Sequence, residues 1–273
     1  MRFALVTLTV TGLVAAGVAL GQPWAALAVL TITVFAWFAD RVAALAAPDR
    51  AGQEFPSGTG LSVVLGLAHF PILYGAVAVL ASPDRAPLDK ALVFVAVALF
   101  TGQIGNANAH ELIHRSARGL RRLGTAVYAS ILFGHHVSAH LRVHHVHAAT
   151  PRDPNSARLH ESYYRFAPRA WAGSFRAGLR AENSLRRKRS GPHPYAVYAA
   201  GSVASLAAAA LLGGLAGIGW LLAIALYAQA QLLLSDYVQH YGLRRRTLSN
   251  DRREPVGPQH SWNAPHGFSS AMM

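Results

Sequence analysis

The chain has 273 residues, of which 52% are hydrophobic and only 14% charged, with 14 histidines, no cysteine and a net charge of +13. The absence of thiols excludes disulfides, zinc–thiolate sites, iron–sulfur clusters and cysteine nucleophiles within the chain, so any metal must be held by imidazole and oxygen. Fifteen of the 25 lysines and arginines fall between Arg115 and Arg189 with no nucleic-acid motif beside them, the pattern of a cytoplasmic loop at an anionic leaflet and not of a nucleic-acid binder.

The apolar residues come in long runs, which reads as an all-α membrane bundle of about six transmembrane helices. Phe3 to Leu20 is a first uncharged run. Ala15-Ala16-Gly17 would suit a signal-peptide cleavage site, but the length of the run and the second run directly after it favour a transmembrane helix. Gly21-Gln22-Pro23 predicts a tight turn, and Trp24 continues as a second span to about residue 40. Its end carries Trp37 and Phe38, which read either as lining for an alkyl channel or as an interfacial aromatic anchor. Ala47 to Gly58 is a polar, breaker-rich loop, 61–81 a third span, 82–90 a short loop and 91–109 a fourth span that runs directly into His110.

Residues 110–192 read as a histidine-rich cytoplasmic part, with helices over 110–116, 124–147 and 160–188 and a turn at Thr150-Pro151-Arg152-Asp153-Pro154-Asn155. Between Tyr195 and Gln239 the only charge is Asp236, a length that suits two spans, 195–212 and 215–236, split at Gly213-Gly214. A tail over 240–273 follows. The loops at 21–23 and 82–90 carry no net positive charge, whereas 115–189 and 244–253 are strongly basic. Charge counting therefore puts both termini and every notable histidine on the cytoplasmic side of a multi-pass protein, in a single membrane domain over 1–273.

His110 and His114 are four apart, one turn on one face of a helix, and His140 and His144 repeat the spacing with His145 beside them. Several buried imidazoles together are costly unless a metal ties them, each neutral ring giving one nitrogen. His135, His136 and His147 flank the cluster as ligands or supporting donors, His69 reads as a hydrogen-bonded residue of a span, and His160 and His193 as solvated loop residues. His110-Glu111-Leu112-Ile113-His114 also fits the His-Glu-x-x-His signature of zinc proteases, with the glutamate as general base. A zinc protease needs one further ligand, and the excess of histidines here points to two ions.

These motifs resemble the membrane alkane hydroxylase family, within the wider membrane fatty-acid desaturase and hydroxylase group. His110 to His114 matches its first histidine box and His140 to His145 its second, with Ala148-Ala149-Thr150-Pro151-Arg152-Asp153-Pro154 resembling the stretch after it. Asp236-Tyr237-Val238-Gln239-His240-Tyr241-Gly242-Leu243 and His260-Ser261-Trp262-Asn263 resemble the approach to a third box. The resemblance implies a cytoplasmic di-iron site with His110, His114, His140, His144, His145 and His240 as ligands. It further implies terminal hydroxylation of an alkane or similar alkyl chain with dioxygen, and a rubredoxin or ferredoxin-type electron donor. The bland partner for the basic face is membrane lipid. A desaturase, or a hydroxylase of another lipid, is the neighbouring expectation.

The chain departs from the family pattern at Ala139 and Val143 in the second box and at Asp236 and Gln239 before His240. No His-x-x-His-His box follows Trp262, and Gly267 to Met273 reads as the opening of another helix, so the expectation is a fragment of a longer protein.

Overall fold

A computed structural model describes residues 2–38, 41, 58–186, 191–248 and 253–262. The loop expected at 47–58 lies outside these residues except for Gly58, as do the basic run at 187–189, Asn263 and the stretch 267–273. The described residues are all-α, with no strand beyond an isolated bridge between Thr247 and Arg253.

Among the described residues eight helices carry the fold: α1 (Arg2–Leu20), α2 (Trp24–Phe38), α3 (Thr59–Ala81), α4 (Pro87–His114), α5 (Arg118–Ser130), α6 (135–147), α7 (Tyr163–Arg186) and α8 (Pro194–His240). Three of them, α3, α4 and α8, are long and apolar enough to cross a membrane, while α1 and α2 are shorter apolar helices. Proline at the first helical position starts α4 and α8, where the missing N–H costs nothing. His193 caps α8, its Nδ1 accepting from the Tyr195 N–H at 3.1 Å.

At about 1.5 Å per residue a straight α8 would be about 70 Å long, twice a bilayer core of about 30 Å. It is not straight. Gly213 and Gly214 leave helical geometry, Gly214 at φ +58°, and the chain doubles back so that Gly217 presses against the Ala209 carbonyl. Only a residue without Cβ tolerates either position.

Among the described residues, the connections at 21–23, 82–86 and 213–214 lie at one end of the bundle. Gly21 (φ +76°) lies against Arg85 and Asp89, Arg85 Nη2 donates to the Ala19 carbonyl at 3.2 Å, and Gly213 touches Ala81. α4 and the second half of α8 run away from that end, and their far ends deliver His110, His114 and His240. The core between them is small and close-packed: Val14, Ala25, Ala28, Leu73, Ala76, Val77, Val93, Ala96, Leu221 and Ile224 are buried. A Cβ on Gly17 would come within 2.8 Å of the Ala25 backbone, the close approach that small residues permit between apolar helices.

Polar side chains lock the last turns of α4. Residues Thr101–Gly105 form a π turn, and Asn106 Nδ2 donates to the Gly102 carbonyl (3.0 Å) and to Ala228 of α8 (2.8 Å). Asn108 Nδ2 donates to Ser62 of α3 at 3.0 Å, and Tyr128 OH of α5 to the Asn106 carbonyl at 3.1 Å. The helix carrying His110 and His114 is thus tied to three neighbours. Gly124 of α5 sits directly on it: a Cβ there would be 2.8 Å from Leu112 Cβ and 2.9 Å from the Ala109 carbonyl. Gly124→Val is therefore expected to cost about 1–3 kcal/mol as overpacking, read as a lower Tm in detergent.

One expected helix is wrong. The stretch 124–147 is not continuous: α5 ends at Ser130, Leu132 takes φ +59°, and α6 begins at 135. The Phe133 N–H returns to the Tyr128 carbonyl at 2.8 Å, and Tyr128, Ile131 and Phe133 are all fully buried, so tertiary packing overrides a run with no Pro to mark the break. The expected helix over 160–188 is observed as Tyr163–Arg186 within the described residues.

Candidate metal centre

Four imidazoles meet where α4 ends against α6. The ligand-capable atoms of His110, His114, His140 and His145 all lie within 4.8 Å of one another. Three Nε2 atoms aim at a single Nε2, that of His140: His110 at 2.8 Å, His145 at 2.8 Å and His114 at 3.1 Å. A ring nitrogen offers one proton or one lone pair, so it can serve one of these neighbours and not three. Imidazoles held about 2.0–2.1 Å from one first-row metal ion, at right angles, would place their nitrogens about 3 Å apart. The donor set is all imidazole, which suits iron, zinc, copper or nickel. The residues present therefore fit a metal ion.

His110 and His114 reach this point by the i,i+4 geometry read from the sequence. α6 does not work that way. Residues His140–His144 form a π turn, which lengthens the local repeat so that His145, and not His144, comes round beside His140. The expected His140–His144 pair is therefore replaced by a His140–His145 pair in this cluster. His144 turns to the other side, stacked at 5.3 Å from His140 and 4.9 Å from the ring of His240.

That second side has its own order. His144 Nδ1 donates to Asp153 Oδ2 at 2.9 Å, which leaves Nε2 as the free ring nitrogen. His240 Nδ1 donates to the His260 carbonyl at 2.9 Å, and its Nε2 is buried without a partner. Two histidines, each with one nitrogen fixed by an acceptor and the other unused, are oriented as metal ligands usually are. The 253–262 segment supports this end of α8. His260 bonds Glu254 at 2.9 Å, Trp262 N–H donates to Gln239 O at 2.8 Å, and Trp262 Nε1 donates to Tyr241 O at 2.9 Å.

The turn after α6 is the part that the sequence named without giving it a role. Asp153 is buried and accepts from His144, from Ser156 Oγ at 2.6 Å and from the Asn155 N–H at 3.1 Å. Asn155 Nδ2 in turn donates to Asp236 Oδ2 at 2.5 Å, joining this turn to α8. Burial alone would suppress a charge on His144, but the hydrogen bond and charge of Asp153, with Asp236 beyond, raise its pKa above the ordinary value. The opposite holds on α6 proper. Burial, then the neighbouring imidazoles, push His140 well below the usual range, and burial with His114 and His144 lowers His145. Neutral rings with a free lone pair are the state a metal requires.

Of the flanking histidines, His135 is buried among Phe133, Trp171 and Phe175 with Nε2 unpartnered. His136 stacks between Phe133 and His140 with Nδ1 unpartnered. His147 is half-buried and outside the cluster of four. His69 bonds Ser130 Oγ at 2.8 Å inside the bundle, His193 bonds Asn183 at 2.9 Å, and His160 is exposed. Trp37 and Phe38 are 61 and 58% exposed at the end of α2, with the Arg41 guanidinium 5.3 Å from the Trp37 ring centroid.

Comparison with known proteins points the same way as the geometry. The chain is 32% identical to alkane 1-monooxygenase 2 of Pseudomonas aeruginosa over 80% of its own length and 60% of that protein's. It is 30% identical to alkane 1-monooxygenase 2 of Alcanivorax borkumensis over 74% of its length and 54% of that protein's. The xylene/toluene monooxygenase hydroxylase component of Pseudomonas putida is 29% identical over 65% of this chain and 48% of its own. The chain thus spans about half to three fifths of the length of these curated relatives. Residues 89–273, which hold every histidine of the cluster, match the fatty acid desaturase family model, and on that match the chain belongs to the fatty acid desaturase family.

Proposed function

We propose that the chain is the histidine-bearing membrane part of a di-iron monooxygenase that hydroxylates the terminal carbon of alkanes or similar alkyl chains. The observation that carries this reading is the convergence of three imidazoles on His140, at the end of a helix that leaves an apolar bundle. It is joined to the similarity with alkane 1-monooxygenases. One ion would be held by His110, His114, His140 and His145, and a second would take His144 and His240. Bound iron supplies the redox chemistry that couples dioxygen reduction to oxidation of a C–H bond.

The protein's own residues do the rest. The α4 anchors at Asn106 and Asn108 fix His110 and His114, Asp153 keeps the proton on His144 Nδ1 so that Nε2 is the free donor, and the His260 carbonyl does the same for His240. The apolar bundle gives an alkyl chain a dry path to the histidines from within the bilayer. α8 is counted as two antiparallel crossings, so that with α1, α2, α3 and α4 the bundle has six, and the arginine-rich end carrying the histidines faces the cytoplasm. The reaction needs two electrons, and without cysteine the chain offers no thiolate redox centre to store them. An external donor of rubredoxin or ferredoxin type is proposed, docking on the exposed Arg118, Arg122 and Arg142.

The protease reading fares worse on one observation. Glu111, the would-be general base, is ion-paired outward to Arg115 at 2.5 Å and is 40% exposed. Glu111→Gln is expected to retain its metal content and at least half of the wild-type hydroxylation. The test of the whole reading uses membranes containing the protein, a reductant-fed donor protein, an n-alkane and ¹⁸O₂. Labelled primary alcohol supports the proposal. An unsaturated product without label reassigns the chain to desaturation, and peptide cleavage without dioxygen uptake reassigns it to proteolysis.

A further inference from the structure

The face of α6 that points away from the metal-binding cluster is held by a buried carboxylate from another helix. Glu182, on α7, is only 8% exposed. Its Oε1 accepts from Ser138 Oγ at 2.9 Å and lies 3.7 Å from Arg142 Nε. Ser138 precedes the π turn at His140–His144, and Arg142 lies inside it. One oxygen therefore joins a residue before the departure from α-geometry to one within it. Ser138 Oγ also bonds Tyr198 OH of α8 at 2.7 Å, so the brace is anchored in the bundle. One turn before Glu182, a Cβ on Gly178 would lie 3.1 Å from the Ala139 backbone nitrogen, so α7 and α6 are in backbone contact here.

A π turn is strained relative to an α-helix and persists where the surroundings hold it. Nothing in His140-Leu141-Arg142-Val143-His144-His145 itself requires one, since it contains neither proline nor glycine. We propose that Glu182 is a positioning residue that holds α6 in π register, and so selects His145 over His144 as the partner of His140 in the cluster. The inference rests on the metal-site reading above and names what sets that site's ligand choice. Without the brace, relaxation to α-geometry would bring His144 round toward His140 and turn His145 away.

The test is cobalt(II) titration of the purified full chain in detergent, read by its visible ligand-field spectrum. Glu182→Ala is expected to shift the cobalt bands and to weaken cobalt binding about 10- to 100-fold, the usual size for loss of a group supporting a ligand. Glu182→Gln, which keeps an oxygen acceptor for Ser138, is expected to restore the wild-type bands. Should Glu182→Ala not fold, Ser138→Ala removes the donor to Glu182, together with its bond to Tyr198, and is expected to shift the bands in the same direction. Unchanged bands in the folded variants, or a shift that Glu182→Gln leaves in place, would overturn the proposal. A wild-type chain that binds no cobalt would instead overturn the metal-site reading, and this inference with it.

Discussion

Replacing His140 by alanine is expected to abolish metal binding at the cluster of four, with affinity falling at least about 100-fold and hydroxylation lost with it. His140 is the residue on which the other three converge, at 2.8, 2.8 and 3.1 Å, so its removal takes away a ligand and also the point that the others share. The effect on the metal-free protein should be small by comparison. Without metal, His140 has three imidazole neighbours and can satisfy one, and burial with their mutual repulsion already holds it neutral. Deleting it relieves that crowding while leaving a small void, two terms of opposite sign. The measurement is Tm with and without metal. The wild type should gain the stabilisation that mass action gives, about 2.7 kcal/mol at a metal concentration 100 times Kd, and His140→Ala should gain at most about 0.4 kcal/mol from this site. His193→Ala, which changes a histidine bonded to Asn183 far along the chain, should keep the full gain. A metal-induced rise in Tm as large in His140→Ala as in the wild type would place the ion elsewhere.

The contrast between His144 and His145 shows how much of this site could be read before the fold was in hand. Helical spacing put His110 and His114 on one face, and α4 keeps them there, because the signal is local and a helix of ordinary pitch obeys it. The same rule put His140 and His144 on one face with His145 beside them, whereas in the fold His145 joins the cluster of four and His144 faces His240. The π turn that changes the answer is braced from outside, by Glu182 on α7, a stretch that the sequence offers only as a helix over 160–188. Local pattern carries no trace of such a contact. The reversal at Gly213-Gly214 was legible for the opposite reason: adjacent glycines in an uninterrupted apolar run are a local signal, and Gly214 does take the positive φ that favours glycine. The break at 131–134 was not, since Ile131-Leu132-Phe133 looks like any apolar stretch of a helix and turns only because its side chains are buried elsewhere. Asp153 and Asn155 were read as turn formers, which they are. Asp153 also fixes His144, nine residues back, and the link from Asn155 reaches Asp236, 81 residues later in the chain.

Asp153→Asn is the substitution outside the ligand set with the largest expected consequence. The carboxylate takes three donors, His144 Nδ1, Ser156 Oγ and the Asn155 N–H, and its side chain is 1% exposed. His144 and Ser156 share Oδ2 and the Asn155 N–H takes Oδ1, so an amide of the same shape turns its NH₂ against one of these two sets of donors, and in either orientation the negative charge that holds His144 Nδ1–H is lost. Metal affinity at the His144–His240 side is expected to fall about 10- to 100-fold. The metal-free protein gives a second readout, in pH. Burial alone would raise the Asp153 carboxyl, but the bonds from His144, Ser156 and Asn155 and the charge on His144 outweigh it and hold the pKa below the ordinary value. Its contribution to stability is present above the unfolded carboxyl value of about 3.9 and is lost as pH falls through the lower folded value. His144 is shifted the other way, so its contribution is complete below the unfolded imidazole value of about 6.5 and is lost as pH rises through the higher folded value. The pair therefore stabilises the metal-free wild type most between about pH 4 and 6.5 and fades on both sides. Metal inverts the alkaline arm, because an ion on Nε2 replaces the proton there while Nδ1–H stays on Asp153. Tm measured against pH should show the maximum in the metal-free wild type, lose it in Asp153→Asn, and rise through neutral pH in the loaded wild type. Identical profiles for the two metal-free proteins would mean that Asp153 only shapes its turn, and that His144 is oriented by something else.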